Sequence, residues 1–360
     1  MIYHKGTDVK SLIRELNSHD KVTRGNAAKA ISSLAKKRIY DVNSIEPLIK
    51  LLEDKNDFVR YNVAFAIGDL AYYCGVYDKK AVSPLVKFLY DKDEIIRWSG
   101  AFAIRTLAKK RVFDVASIKP LTHLLNDKNN KVLYNAAFAL GDIAECGSFD
   151  KNSVSLLIRL LSNHHQRVRW SAAFALRTLA KKGIFNNDSL QCFMNLFFDA
   201  NIRVRYNAVY AIGSLAEYDI FDSSAVYPLI SLMSDRNDIV RRSAAFAIAC
   251  LAKKNVIDKA AIKPLITLLS DNHVDVRKNA ANALKIIKEE MVNVTGIDEN
   301  ILQQYIHIDN RIGTKIEGDV VAVRSNIGTD AGKCPNCGRE VEANEKFCRE
   351  CGEVVVGSKL

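Results

Sequence analysis

Small and aliphatic residues return along this chain at helical spacing, in blocks that themselves recur. RYNVAFAIGDLA begins at Arg60, RWSGAFAIRTLA at Arg97, LYNAAFALGDIA at Leu133, RWSAAFALRTLA at Arg169, RYNAVYAIGSLA at Arg205 and RRSAAFAIACLA at Arg241. Weaker copies begin at Arg24 and Arg277, so the step is 36 residues, once 37. Counting the opening residue as position 1, positions 4, 5, 8, 11 and 12 are Ala, Leu, Ile or Val in nearly every copy and share one helical face. A second apolar block precedes each copy, as in SIEPLIKLLED, AVSPLVKFLYD and AIKPLITLLSD. Its Pro47, Pro84, Pro120, Pro228 and Pro264 hold one register, in the first turn or just beyond, where proline starts or kinks a helix. Asp41, Asp78, Asp114, Asp150, Asp222 and Asp258 stand where an N-cap is needed. Each unit therefore reads as a helix pair, and no strand alternation appears before about residue 316.

Helix pairs at this period stack into an α-solenoid. The PLIxLLxD of the first helix, the V-R before the second and its AAxALGxIA core resemble HEAT repeats, in particular the HEAT-like repeats of the phycobilisome-lyase type. The expected fold class is all-α: a superhelix of HEAT-like helix pairs with a small C-terminal zinc-ribbon module. Eight repeats over 1–292, a linker with a short β-prone segment over 293–332 and a zinc ribbon over 333–360 make up the expected organisation. The resemblance places the second helices on the inner surface. It also implies that the arginines opening those helices pair with acidic residues of neighbouring loops, with Leu133 as the one break. The terminal copies replace the internal position-6 aromatic with Lys29 and Asn282, as solenoid ends with polar outer faces require.

A finer alternation overlies the repeat. Units three and five carry RWSxAFAxRTLAKK, whereas units two and four carry YNxAFAxGDxA. Positions 2, 6, 9 and 13 form a stripe beside the Ala/Leu face: Trp98, Phe102, Arg105 and Lys109 in unit three, Trp170, Phe174, Arg177 and Lys181 in unit five. Trp98, Arg105, Lys109, Trp170, Arg177 and Lys181 are the candidate partner-binding residues. Cations interleaved with aromatics suit an acidic protein segment, or a ribonucleoprotein, with direct nucleic-acid contact a further option. The competing reading is that the rings fill the seams between units and the lysines offset helix dipoles.

Charge sharpens this. The chain of 360 residues carries a formal +11, but residues 293–360 hold 11 acids and 8 bases, which leaves 44 bases against 30 acids over residues 1–292. With 48% apolar and 26% charged residues the composition is that of a folded protein. No apolar run approaches a membrane span. The opening MIYHKGTDVKSLIREL lacks a signal-peptide core, so a cytoplasmic location without membrane contact is expected.

CPNCGREVEANEKFCRECG is the most specific motif. Its C-x₂-C-x₁₀-C-x₂-C spacing brings Cys334, Cys337, Cys348 and Cys351 together as two thiolate pairs, each followed by glycine. Four thiolates suit a tetrahedral, structural Zn²⁺ and leave no position for a reactive water. So short a segment has too little core to fold without the metal. Rubredoxin-type iron, which uses similar knuckles with a longer gap, is the alternative. The other four cysteines are scattered and read as structural.

The expected function is a non-catalytic scaffold or adaptor whose basic, aromatic-lined surface holds the partner, with the ribbon as a second contact. The alternative is a HEAT-like enzyme of the DNA-glycosylase or lyase kind, for which Trp98, Trp170, Asp69 and Asp142 supply suitable side chains. No phosphate-binding loop, nucleotide fingerprint or nucleophile motif supports it.

Overall fold

The computed structural model describes residues 8–184, 190–256 and 258–290. The four clustered cysteines and residues 293–332 lie outside the described residues. Sixteen α-helices occur among the described residues and no strand. They form eight pairs: α1 (Val9–Glu15) with α2 (Lys21–Lys36), α3 (Ile45–Leu51) with α4 (Asp57–Asp69), α5 (Val82–Phe88) with α6 (Glu94–Lys109), and α7 (Ile118–His123) with α8 (Asn130–Glu145). The series continues with α9 (Asn152–Leu160) and α10 (Gln166–Ala180), α11 (Leu190–Met194) and α12 (Ile202–Ala216), α13 (Val226–Leu232) and α14 (Asp238–Ala252), and α15 (Ile262–Leu268) and α16 (Val274–Glu290). Each second helix packs on its own first helix and on the second helices before and after it, so α2, α4, α6 and onward to α16 form one continuous row.

The seams of that row are apolar. In α4 and the π-helical turn Leu70–Cys74 that continues it, Val63, Ala64, Ile67, Leu70 and Ala71 are all fully buried, and the equivalent Ala172, Ala173, Leu176, Leu179 and Ala180 line α10. Alanine at positions 4 and 5 lets neighbouring backbones approach closely, and leucine or isoleucine at 8 and 11 supplies the buried area, about 25 cal/mol per Å². In α11, Cys192 takes the proline position, and Phe193 and Phe197 are fully buried in that unit.

Two local details refine the expected starts and ends. The aspartates before the first helices cap a short 3-10 turn that leads into the helix, not the helix itself: Asp41 accepts from the Asn43 N–H at 2.9 Å and Asp78 from Lys80 at 2.9 Å. Each proline then falls third in its α-helix, in the first turn, where its missing N–H costs nothing. Seven of the second helices end on a left-handed residue, followed by an apolar one except at Gly147, where Ser148 comes next. Arg111 has φ 62° and the Val112 N–H reaches back to the Leu107 carbonyl at 3.0 Å. Gly75, Gly147 and Gly183 take this position elsewhere, where glycine avoids the Cβ clash.

An ionic ladder ties six of the eight second helices to the loop 30 or 31 residues on. Arg24–Asp54 (2.8 Å), Arg60–Asp91 (3.5 Å), Arg97–Asp127 (2.7 Å), Arg169–Asp199 (2.7 Å), Arg205–Asp235 (2.9 Å) and Arg241–Asp271 (2.7 Å) repeat one contact. A second guanidinium nitrogen of each arginine donates to a loop carbonyl six residues before it, as Arg97 does to Asp91 at 2.9 Å. Where Leu133 breaks the ladder, the loop position is Asn163. It keeps the local turn bond, accepting from the His165 N–H at 2.8 Å, but has no arginine to meet.

Candidate functional site

The two-unit alternation is first a packing relationship. Position 9 of the even units is glycine because the position-6 phenylalanine of the next unit lies against it. A Cβ on Gly68 would stand 2.6 Å from the Phe102 ring, on Gly141 2.6 Å from Phe174, and on Gly213 2.7 Å from Phe246. In the seams after units three and five position 9 is a cation on the next unit's position-6 ring. The Arg105 guanidinium sits 4.0 Å from the Phe138 centroid and donates to Asn135 Oδ1 at 3.3 Å. Arg177 lies among Phe174, Tyr206 and Tyr210, at 5.2, 5.7 and 5.6 Å.

The six candidate residues therefore differ in what they present. Lys109 and Lys181 are exposed, each 5.5 Å from a ring, Tyr72 and Tyr210. Trp98 and Trp170 are half-buried, edge-on to Phe65 and Phe138 at 4.7 Å. Arg105 is half-buried in its seam. Arg177 lies in the seam and not on the outer surface: it is only 3% exposed. The physical reason is that a position-9 guanidinium finds a ring of the following unit within reach and lies flat in the seam.

Three cations that the repeat analysis did not single out complete the surface. Lys131 stands 4.3 Å over Trp98, Arg167 4.4 Å over Tyr134 and Arg203 4.3 Å over Trp170. Each lies 33 residues after its ring, two residues before a unit's opening residue, and only units four, five and six put a cation there. The signal was in the sequence as Lys131, Arg167 and Arg203 against Ile95 and Ile239, but it became visible only once the register between helices was known. The result is three consecutive ring–cation pairs along the row from α6 to α12.

Burial governs the titration of the acids and thiols. Asp69 is buried, accepts from Ser32 Oγ at 2.6 Å and pairs with Lys36 at 3.2 Å; burial raises its pKa, and Lys36 and Ser32 oppose this. Burial pushes Asp142 up to about 7, against the pull of Arg105 and Lys109. Burial raises the Cys74 and Cys146 thiols and takes Cys250 to about 12, so all three hold their protons at neutral pH. The exposed His164 faces Asn130 at 3.5 Å, while His165 stacks on Tyr134 at 6.4 Å. Among the described residues no group of three or more His, Cys, Asp or Glu is placed to hold a metal, and no helix is long and apolar enough to cross a membrane.

Known proteins agree with this architecture. A HEAT-repeat family model matches residues 9–105 and 100–177. A model of the non-SMC mitotic condensation complex subunit 1 matches residues 202–318, and a zinc-ribbon domain model matches residues 333–355. No curated protein matches the chain. Among solved structures, an engineered protein from the Northeast Structural Genomics Consortium is similar at 21% identity and TM-score 0.57, over 83% of this chain and 87% of that one. A chain from work on a conserved phosphorylation switch controlling the interaction between cadherin and beta-catenin is similar at 17% identity and TM-score 0.56, over 78% of this chain and 60% of that one. At these identities the likeness concerns the fold. The repeats, the sixteen helices and the cysteine spacing converge: this chain is a HEAT-repeat α-solenoid protein with a C-terminal zinc-ribbon sequence.

Proposed function

We propose that the protein is a non-catalytic binding scaffold whose row of second helices holds an acidic, extended segment of a protein partner. The solenoid fold is one typical of protein-binding scaffolds. The observation that carries the proposal is the run of ring–cation pairs, Trp98 with Lys131, Tyr134 with Arg167 and Trp170 with Arg203, on successive units. Packed helices advance by about 10 Å, and an extended chain in the polyproline II conformation rises about 3.1 Å per residue with three residues per turn. An acidic side chain at every third residue would therefore meet one pair per unit. Base stacking, which nucleic-acid binding on aromatics requires, is disfavoured because a cation already covers one face of each of these rings. Lys109 and Lys181 extend the positive surface, and Arg105 braces it from below.

Cys334, Cys337, Cys348 and Cys351 are the donor set for one structural Zn²⁺, which supplies the folding energy of the ribbon and adds a second contact. A cytoplasmic setting, where free thiols such as Cys146 persist, accords with this cysteine usage.

The test is binding of the full chain to an immobilised glutamate-rich peptide and, in parallel, to single-stranded RNA. Peptide binding that weakens with salt, and falls by about tenfold or more in Lys131→Glu with Arg203→Glu, supports the proposal. Preference for RNA, or binding unchanged in the double variant, overturns it.

A further inference from the structure

Position 10 of the even units faces positions 9 and 13 of the unit before, and three seams fill this place differently. In the first, Asp69 takes Ser32 and Lys36. In the second, Asp142 faces Arg105 and Lys109, with Asn135 accepting from Arg105. In the third, the cations are Arg177 and Lys181, but position 10 is Ser214 and the carboxylate is missing.

The consequence is visible in the side chains. Arg177 Nε and Nη2 are buried without a hydrogen-bond acceptor, and so without a donor is Oδ1 of Asn207, the counterpart of Asn135. Its three rings attract the guanidinium but accept no in-plane hydrogen bond, so the cost of an unsatisfied buried charge stands. Nε and Nη2 form the edge of a guanidinium that grips a carboxylate with two parallel bonds. The same protein uses that edge in its ladder: Arg169 reaches Asp199 by Nε at 2.7 Å and by Nη2 at 3.1 Å, and Arg241 reaches Asp271 at 2.7 and 2.9 Å. Lys181 crowds the same spot, and its pKa is lowered by burial first and by Arg177 second. Glu145 and Glu217 pull that lysine the other way, but both are exposed and neither forms an ion pair with Arg177.

We propose that the seam between α10 and α12 is a carboxylate-binding site, in which an acidic side chain of the partner enters beside Lys181 and closes on the Nε–Nη2 edge of Arg177. This rests on the scaffold reading above and adds the position at which one acidic residue is anchored. The exposed Lys181 side chain swings from Tyr210 as the carboxylate enters. Ser214 ends in a hydroxyl where aspartate would extend to a carboxylate, and the shorter side chain leaves the incoming group its place.

The probe is a fluorescein-labelled hexaglutamate peptide, titrated by anisotropy into the full chain. Ser214→Asp supplies the carboxylate from within the chain. It should raise the melting midpoint by about 2–4 °C and weaken peptide binding by about tenfold or more. Arg177→Met removes a buried, unpaired charge; it should leave the melting midpoint unchanged or higher and weaken the peptide as strongly. If both variants bind like the parent, the anchoring site is overturned; if Lys131→Glu with Arg203→Glu still abolishes binding, the scaffold reading survives. Displacement of the peptide by millimolar inorganic phosphate through the same two residues would identify a general anion site and overturn the carboxylate assignment. No peptide binding by the parent chain overturns both.

Discussion

Phe174 occupies the space that a side chain on residue 141 would need: a Cβ on Gly141 would lie 2.6 Å from the ring and 3.0 Å from the Ala175 backbone. The ring has some freedom to give way, but the backbone contact has little. Gly141→Ala should therefore destabilise the protein by about 1–3 kcal/mol through overpacking, despite the better helix propensity of alanine. Urea unfolding measures it, and Phe174→Leu in the same chain should recover part of the loss.

The ionic ladder makes a paired prediction. Arg241→Leu strands Asp271, whose pKa is now held down by Arg241 and the His273 N–H against the upward pull of burial. A cost of about 3 kcal/mol is expected from leaving this largely buried carboxylate unpaired. Installing the missing rung, Leu133→Arg with Asn163→Asp, should show a favourable coupling of about 1 kcal/mol in a double-mutant cycle, even though Leu133→Arg alone loses buried apolar area.

Asp142 sets a pH dependence of defined sign. With its folded pKa near 7 and an ordinary value of about 4 when unfolded, the native state binds the extra proton between these limits. Its contribution to stability is thus full at the acidic end, and is lost as pH rises toward and through about 7. Asp142→Asn should flatten the difference in melting temperature between pH 5 and pH 8 relative to the parent. Asp271, with its lowered pKa, adds its opposite slope only below about pH 4, outside this window.

For the C-terminal cysteines, one zinc per chain is expected by elemental analysis, with Cys348→Ala reducing that content sharply. Chelation should leave the cooperative melt of the helical unit, which divides from the remainder after Val292, unchanged.

Much of this architecture was legible in the sequence because its signals are local. The Ala/Leu face, the proline register and the opening arginines each recur within one unit or at a fixed step, so eight pairs follow from counting, and the resemblance to HEAT repeats implied the ladder. The zinc-ribbon spacing was equally direct and is matched at residues 333–355. The ring–cation pairs were not legible in the same way. Lys131 and Trp98 sit on different helices, 33 residues apart, an offset fixed by how the helices dock and not by helical period. Arg177 shows the converse limit: helix geometry placed it correctly on the stripe, but whether its side chain lay outward or in the seam depended on the rings of the next unit.

The missing rung at Leu133 and Asn163 bears on how the array responds to load. A stack whose units touch only their neighbours stretches like springs in series, and the softest joint takes most of the extension. The Arg–Asp staples stiffen the joints on either side, Arg97 to Asp127 and Arg169 to Asp199, while the joint between α8 and the loop before α10 has no such staple and is bridged by weaker contacts, Asn130 with His164 and Tyr134 with His165. Pulled from its ends, or bent by a partner spanning several units, the solenoid should therefore open at its middle first, dividing into two four-unit arms that pivot about Leu133.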